Sequence, residues 1–131
     1  MTERRAAILL IEDDESLRRI VTRHLRQEGF DVEDVASAED AERALQGGLR
    51  PAVVLLDLNL PGDTGWDLLR GGSLARAGSP AVVITSATTV SPRRLAEFGV
   101  AGFLPKPFPL ETVVATVERL LESREAAPGA S

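Results

Sequence analysis

Short apolar runs alternate with amphipathic segments along the chain, and this alternation constrains the fold more than any other feature. Three runs, 6–11, 53–56 and 81–84, are continuous and rich in branched residues. Each is too short for a helix and is typical of a strand buried on both faces. Weaker strand patterns lie at 32–35 and 100–104. The chain is therefore predicted to contain five strands.

The segments between the strands have the patterns of helices. Segments 17–25 and 110–121 place apolar residues on one helical face. Ser37 and Ser91 precede two further segments and are typical helix N-caps. A helix therefore follows each strand.

This order predicts an α/β domain. Strand–helix units repeated five times imply right-handed crossovers and a doubly wound parallel sheet with helices on both faces. The third helix, which can begin at Gly65, is expected to be short, with 73–79 as an irregular surface link. We expect one domain over 6–122, and 123–131 as a flexible tail or the start of a linker, because those last residues are small and polar.

Charge and composition exclude several classes of protein. The net charge of -5 argues against direct nucleic-acid binding, which needs clustered Lys and Arg. The absence of cysteine excludes disulfides, thiolate metal sites and a Cys nucleophile. Apolar runs are far shorter than the ~20 residues that span a bilayer. We therefore expect a cytoplasmic protein that does not contact a membrane.

Polar residues follow the predicted strands at their carboxyl ends, where ligands bind in open parallel sheets. Glu12 and Asp13 follow the first strand, Asp57 the third and Thr85 the fourth, and the fifth runs into Lys106. A single acid after a strand is commonly only the N-cap of the next helix. Three carboxylates held close together, however, repel one another unless they share protons or bind a hard cation such as Mg²⁺.

This group of residues suits phosphoryl transfer. With a metal screening it, Asp57 is a carboxylate nucleophile that can form an acyl phosphate. Thr85 and Lys106 supply the hydroxyl and ammonium that balance charge on the transferred group. Lys106 is the sole lysine among 15 basic residues, which indicates a site that needs a compact point charge. It precedes Pro107, and the bond between them can be cis or trans.

The motifs resemble the receiver domain of bacterial response regulators over about 6–122. They are Ile11-Glu12-Asp13-Asp14, the segment from Asp57 to Pro61 with Gly65, then Thr85, and Lys106-Pro107-Phe108. The resemblance implies a flavodoxin-like (βα)5 fold with strand order 2-1-3-4-5. It also implies that Asp57 is the phosphoacceptor. Mg²⁺ would be held by Asp13 directly, Glu12 through water, Asp57 and the backbone carbonyl of Asn59.

The resemblance implies a switch as well. Thr85 is expected to be the switch hydroxyl and Ser86, its neighbour, is the alternative. Lys106 would contact the phosphoryl group. Phe103 occupies the position of the family's switch aromatic, although it can equally be a core residue of the last strand. The surface of the fourth helix, fifth strand and fifth helix would change on phosphorylation.

A sensor histidine kinase or a histidine phosphotransfer protein is the implied phosphodonor. The receiver would act on a downstream protein or on an output domain outside this chain, with a possible phosphorylation-dependent homodimer through the switching surface. It would assist its own phosphorylation and dephosphorylation without being an enzyme in the usual sense. One alternative is a phosphorylation-independent docking or dimerisation module. Another is an aspartate-based phosphohydrolase, which Asn59 disfavours because that class needs a second Asp there.

Overall fold

A computed structural model describes residues 4–62 and 64–126 as one parallel sheet covered by helices. The strands are β1 (Arg4–Ile11), β2 (Val32–Val35), β3 (Leu49–Asp57), β4 (Ala81–Ser86) and β5 (Gly102–Pro105). All neighbouring strands are parallel. Their order is β2-β1-β3-β4-β5, so the predicted fold class and strand order are confirmed.

Within the described residues, six helices connect and follow these strands. They are α1 (Glu15–Gln27), α2 (Ala38–Gln46), α3 (Gly65–Arg70), α4 (Ser73–Arg76), α5 (Pro92–Glu97) and α6 (Leu110–Ala126). The predicted fourth and fifth helices are thus α5 and α6. Ser37 and Ser91 cap α2 and α5 as expected, since each side chain accepts a backbone N–H from three residues ahead.

The short helix α4 corrects the expectation of an irregular link over 73–79. Gly72 adopts a left-handed conformation (φ 82°), which ends the preceding turn and lets the chain enter a new one. Leu74 and Ala77 are buried against the sheet, so packing favours a helical turn here despite the adjacent glycines.

The last helix extends beyond the predicted segment 110–121 and runs to Ala126. Arg124 donates from Nη1 to the carbonyl of Ser79 at 3.4 Å, which ties the last turn to the loop before β4. The predicted tail therefore begins within a helix, and its residues 127–131 lie outside the described residues.

Two apolar layers cover the sheet, one on each face. Successive residues of the central strands, such as Leu55 and Leu56 of β3, belong to opposite layers. One layer includes residues of α2, α3 and α4, and the other includes residues of α1 and α6. Since both faces are covered, the strands' carboxyl edge is left to carry polar side chains. No helix in the described ranges combines the length and apolarity needed to cross a membrane.

Candidate functional site

Three carboxylates meet at the carboxyl edge of the sheet. Ile11 pairs with Leu56, so Glu12 after β1 lies beside Asp57 at the end of β3. One carboxylate oxygen each from Glu12, Asp13 and Asp57 lies within 4.8 Å of the others. Glu12 and Asp57 are buried, whereas Asp13 is exposed. The structure thus brings together the three predicted acidic ligands.

Lys106 reaches this cluster from the end of β5. Its Nζ lies 2.7 Å from Oε1 of Glu12 and 3.2 Å from Oδ2 of Asp57. Its backbone N–H donates to the carbonyl of Ser86 at 2.8 Å. The Lys106–Pro107 peptide bond is cis, which settles a point that the sequence left open. The lone lysine is therefore a direct partner of the predicted phosphoacceptor.

Burial and pairing set the charges in this cluster. Burial raises the pKa of Glu12, and the hydrogen bonds from Lys106 and from the backbone N–H of Asp14 only partly oppose this. Burial also acts to lower the pKa of Lys106, but its contacts with Glu12 and Asp57 outweigh burial and raise that pKa. Lys106 is therefore a cation at neutral pH, placed where two buried carboxylates need one.

The backbone around Asp57 is tightly packed. The Asn59 N–H donates to Oδ1 of Asp57 at 3.0 Å, which fixes the carboxylate. Helix α3 begins directly over the end of β3: a Cβ on Gly65 would lie 2.8 Å from the carbonyl oxygen of Asp57 and 3.1 Å from Cα of Leu58. Only glycine fits this approach, which explains why the motif around Asp57 includes Gly65.

The two adjacent hydroxyls of β4 point to opposite sides of the sheet. Thr85 pairs with Asp57 in the sheet register and shares its face. The Ser86 Oγ accepts from Nδ2 of Asn59 at 3.4 Å and lies 2.9 Å from Oγ1 of Thr88. Thr88, which the sequence analysis did not single out, is thus linked to the loop after Asp57.

Phe103 lies next to Ile84 in the β4–β5 register, on the face opposite to Asp57 and Thr85. It is half-buried and packs against the apolar layer that contains Ile84. This placement fits a core aromatic residue, although its intermediate burial on the edge strand β5 is less than that of the central core residues.

The donor set fits a divalent cation. Oxygen ligands from two buried carboxylates and one exposed carboxylate are those that Mg²⁺ prefers, and the open side at Asp13 leaves room for water ligands. The neighbouring ammonium is equally suited to an anionic group on Asp57. The arrangement can therefore place a cation and an anionic group next to the same carboxylate.

Comparisons with known proteins agree with this geometry. The family model described as the response regulator receiver domain matches residues 8–118. The chain is 39% identical over 129 residues to the DNA-binding response regulator MtrA of Mycolicibacterium smegmatis, covering 98% of this chain and 56% of that protein. It therefore spans about half the length of the curated relatives it matches.

Solved structures give the same result. The non-phosphorylated HemR receiver domain of Leptospira biflexa is 31% identical, with a TM-score of 0.76, covering 91% of this chain and 94% of that one. The chemotaxis protein CheY4 of Vibrio cholerae is 27% identical, with a TM-score of 0.78, covering 89% and 99% respectively. The chain therefore belongs to the family of response regulator receiver domains, the signal-accepting modules of two-component systems.

Proposed function

We propose that Asp57 accepts a phosphoryl group from a phosphohistidine on a sensor histidine kinase or a histidine phosphotransfer protein, in a reaction that requires Mg²⁺. The observation that carries this proposal is the contact between Asp57 and Lys106 inside a cluster of three carboxylates. In this cluster Asp57 is the nucleophile, the three carboxylates can bind a cation, and Lys106 supplies a positive charge.

The residues have separate parts in the transfer. The P–N bond of the donor breaks as a bond forms between phosphorus and a carboxylate oxygen of Asp57, and the donor imidazole leaves with the electron pair. Mg²⁺ would be held directly by Asp13, Asp57 and the backbone carbonyl of Asn59, and by Glu12 through water, and it would screen the negative charge of the reacting groups. Lys106 balances the new phosphoryl oxygens from the other side.

Thr85 is proposed as the hydroxyl that senses the phosphoryl group, because it shares the face and register position of Asp57. Its movement toward the phosphoryl group would shift the equilibrium between the resting and active conformations of the surface formed by α5, β5 and α6. Phe103, on the central strand of that surface, would follow by a change in packing, since it has no hydroxyl. The same surface is the proposed site of a phosphorylation-dependent homodimer.

The downstream partner is proposed to be a protein or an output domain. The relatives at 38–39% identity are named DNA-binding response regulators, and the whole of each is longer than the matched part. The chain, with a net charge of -5, is not expected to contact nucleic acid directly. We place the reaction in the cytoplasm, and the domain would assist its own phosphorylation and dephosphorylation.

Labelling tests the phosphoacceptor. The wild-type chain, incubated with acetyl phosphate and Mg²⁺, is expected to gain one phosphoryl group by intact-mass spectrometry. Asp57→Asn should gain none. The matched control Asp31→Asn, which changes an exposed acid just before β2, should be labelled like the wild type. Equal labelling of Asp57→Asn and wild type would contradict the assignment of Asp57 as the phosphoacceptor.

A second measurement separates the switch from a phosphorylation-independent docking module. Self-association is measured by sedimentation with and without beryllofluoride, a phosphoryl mimic, in the presence of Mg²⁺. Dependence on the mimic supports the switch. Association that is equal in both conditions, and equal in Asp57→Asn, supports the docking module instead.

A further inference from the structure

Four side chains form a stacked cluster between helices α3 and α5. The rings of Trp66 and Phe98 lie 4.9 Å apart between centroids and are tilted by 38°. The Arg94 guanidinium lies 4.8 Å from the Trp66 ring centroid and 5.4 Å from that of Phe98. Arg70 covers Phe98 at 5.6 Å. We call these four residues the Trp66 stack.

The stack joins an anchored helix to a weakly anchored one. Helix α3 is fixed at its start by the close approach of Gly65 to β3 and by a capping box between Thr64 and Asp67. Helix α5 has six residues and buries none of them completely. Its half-buried Leu95 packs against the apolar layer. The ring contact of Phe98 and the cation–π contact of Arg94 with Trp66 add to what holds α5 against α3.

The stack also lies beside the phosphorylation site. A cavity of about 300 Å³ has Asn59 and Thr88 in its lining together with Trp66 and Arg94. Thr88 belongs to the loop 87–91, whose backbone N–H at Thr88 donates to Oγ of Ser86 at 3.0 Å. That loop starts at the end of β4 and leads into α5. A displacement of the loop toward Asp57 would therefore pull on Arg94.

We propose that Arg94 is a positioning residue for the switch: packed against Trp66 and Phe98, it holds α5 against α3 in the resting state and must separate from Trp66 when α5 moves. This inference rests on the proposed function. It adds to it the contact that determines how much of the protein is in the resting conformation. Removing the contact makes the active arrangement easier to reach, so a ligand that favours that arrangement binds more tightly.

Arg94→Gln tests the proposal in the full chain with beryllofluoride and Mg²⁺ as the probe. Binding is followed by the ¹⁹F resonance of the bound mimic, a readout that does not depend on Trp66. Half-saturation in Arg94→Gln is expected at about fivefold lower beryllofluoride than in the wild type, which corresponds to ~1 kcal/mol of lost cation–π contact. Arg94→Lys keeps the charge but not the planar group, and should fall between the two.

Arg93→Gln is the matched control, because Arg93 is an exposed arginine of the same helix. It should bind beryllofluoride like the wild type. Phe98→Leu keeps an apolar side chain but removes the ring, and should shift half-saturation in the same direction as Arg94→Gln. Trp66, the one tryptophan, should also change its emission when wild-type protein binds the mimic.

The outcomes separate this inference from the proposed function. If the wild type binds beryllofluoride through Asp57 but Arg94→Gln matches Arg93→Gln or binds more weakly, Arg94 does not hold the resting state. If Asp57→Asn binds the mimic as the wild type does, the proposed function itself fails. A lower half-saturation in both Arg94→Gln and Phe98→Leu, with Arg93→Gln unchanged, supports the stack as the resting contact.

Discussion

Lys106 Nζ lies 2.7 Å from Oε1 of Glu12, although the strands that precede them, β5 and β1, are separated in the sheet by β3 and β4. The contact is possible because Lys106 is long and extends over the carboxyl edge toward Asp57. Lys106 thus contacts a carboxylate that follows the first strand and a carboxylate at the end of the third. The cation thus offsets the repulsion between two carboxylates that would otherwise destabilise the folded state.

Lys106→Met should reveal how much of the fold depends on this ion pair. The Glu12 and Asp57 side chains are 3% exposed and that of Lys106 is 20% exposed, so removing the ammonium leaves carboxylates poorly solvated. We expect the free energy of unfolding to fall by about 2 kcal/mol, less than for a fully buried pair, as measured by urea denaturation. The double variant Glu12→Gln/Lys106→Met should recover part of the loss. A larger loss in the double variant would contradict this explanation.

Gly65→Ala should destabilise the domain and impair labelling of Asp57. The new methyl group would meet backbone atoms of Asp57 and Leu58, which cannot rotate away. We expect a loss of about 1–3 kcal/mol in urea denaturation and slower labelling by acetyl phosphate. Gly102→Ala is the control, because its nearest neighbours would be Val83 methyl groups at 3.8 and 3.9 Å, an ordinary contact. Equal losses of stability and labelling rate in the two variants would show that the close approach of α3 to β3 at Gly65 does not cause them.

The capping box at the start of α3 should give a stability difference that depends on pH. Asp67 Oδ2 accepts the Thr64 N–H at 2.8 Å, and this backbone bond, with the Thr64 hydroxyl, lowers the pKa of Asp67 below 3.8. A lowered pKa means that the ionised form stabilises the fold. Its contribution is fully present above pH 3.8 and is lost as the pH falls through the folded-state pKa.

Asp67→Asn is therefore expected to be less stable than the wild type at pH 7, and the two should converge as the solution is acidified. Urea denaturation at a series of pH values measures this difference. A difference that stays constant down to pH 3 would show that the charge of Asp67 is not involved.

Much of this architecture could be predicted because its signals are local. Apolar runs such as 53–56 mark buried strands, and parallel strands bring Glu12, Asp57 and Lys106 to one edge of the sheet. Helix α4 could not be predicted, because Gly71-Gly72 indicates a break, whereas burial of Leu74 decides the conformation. Local sequence cannot register such tertiary packing.

The Trp66 stack was missed for a different reason. Trp66 and Phe98 are 32 positions apart, and no periodic pattern joins them. In the sequence, nothing distinguishes Arg94 from the many other arginines that are expected on the surface. Phe98 lies four residues after Arg94, at the C-cap of the same helix, but only the crossing of α3 and α5 brings the guanidinium against Trp66, so that contact exists solely in the folded chain.

The two hydroxyls at the end of β4 have different neighbours. Thr85 shares the face of Asp57, whereas Ser86 contacts Asn59 and Thr88 on the other side. A phosphoryl group on Asp57 is therefore expected to recruit Thr85, and Thr85→Ala should still be labelled by acetyl phosphate but lose the change in Trp66 emission. Ser86→Ala removes the bond to Thr88 and should keep an emission change, because the hydroxyl on the Asp57 face remains. If Ser86→Ala loses the response and Thr85→Ala keeps it, Ser86 is the switch hydroxyl, and the signal passes to the loop through Thr88.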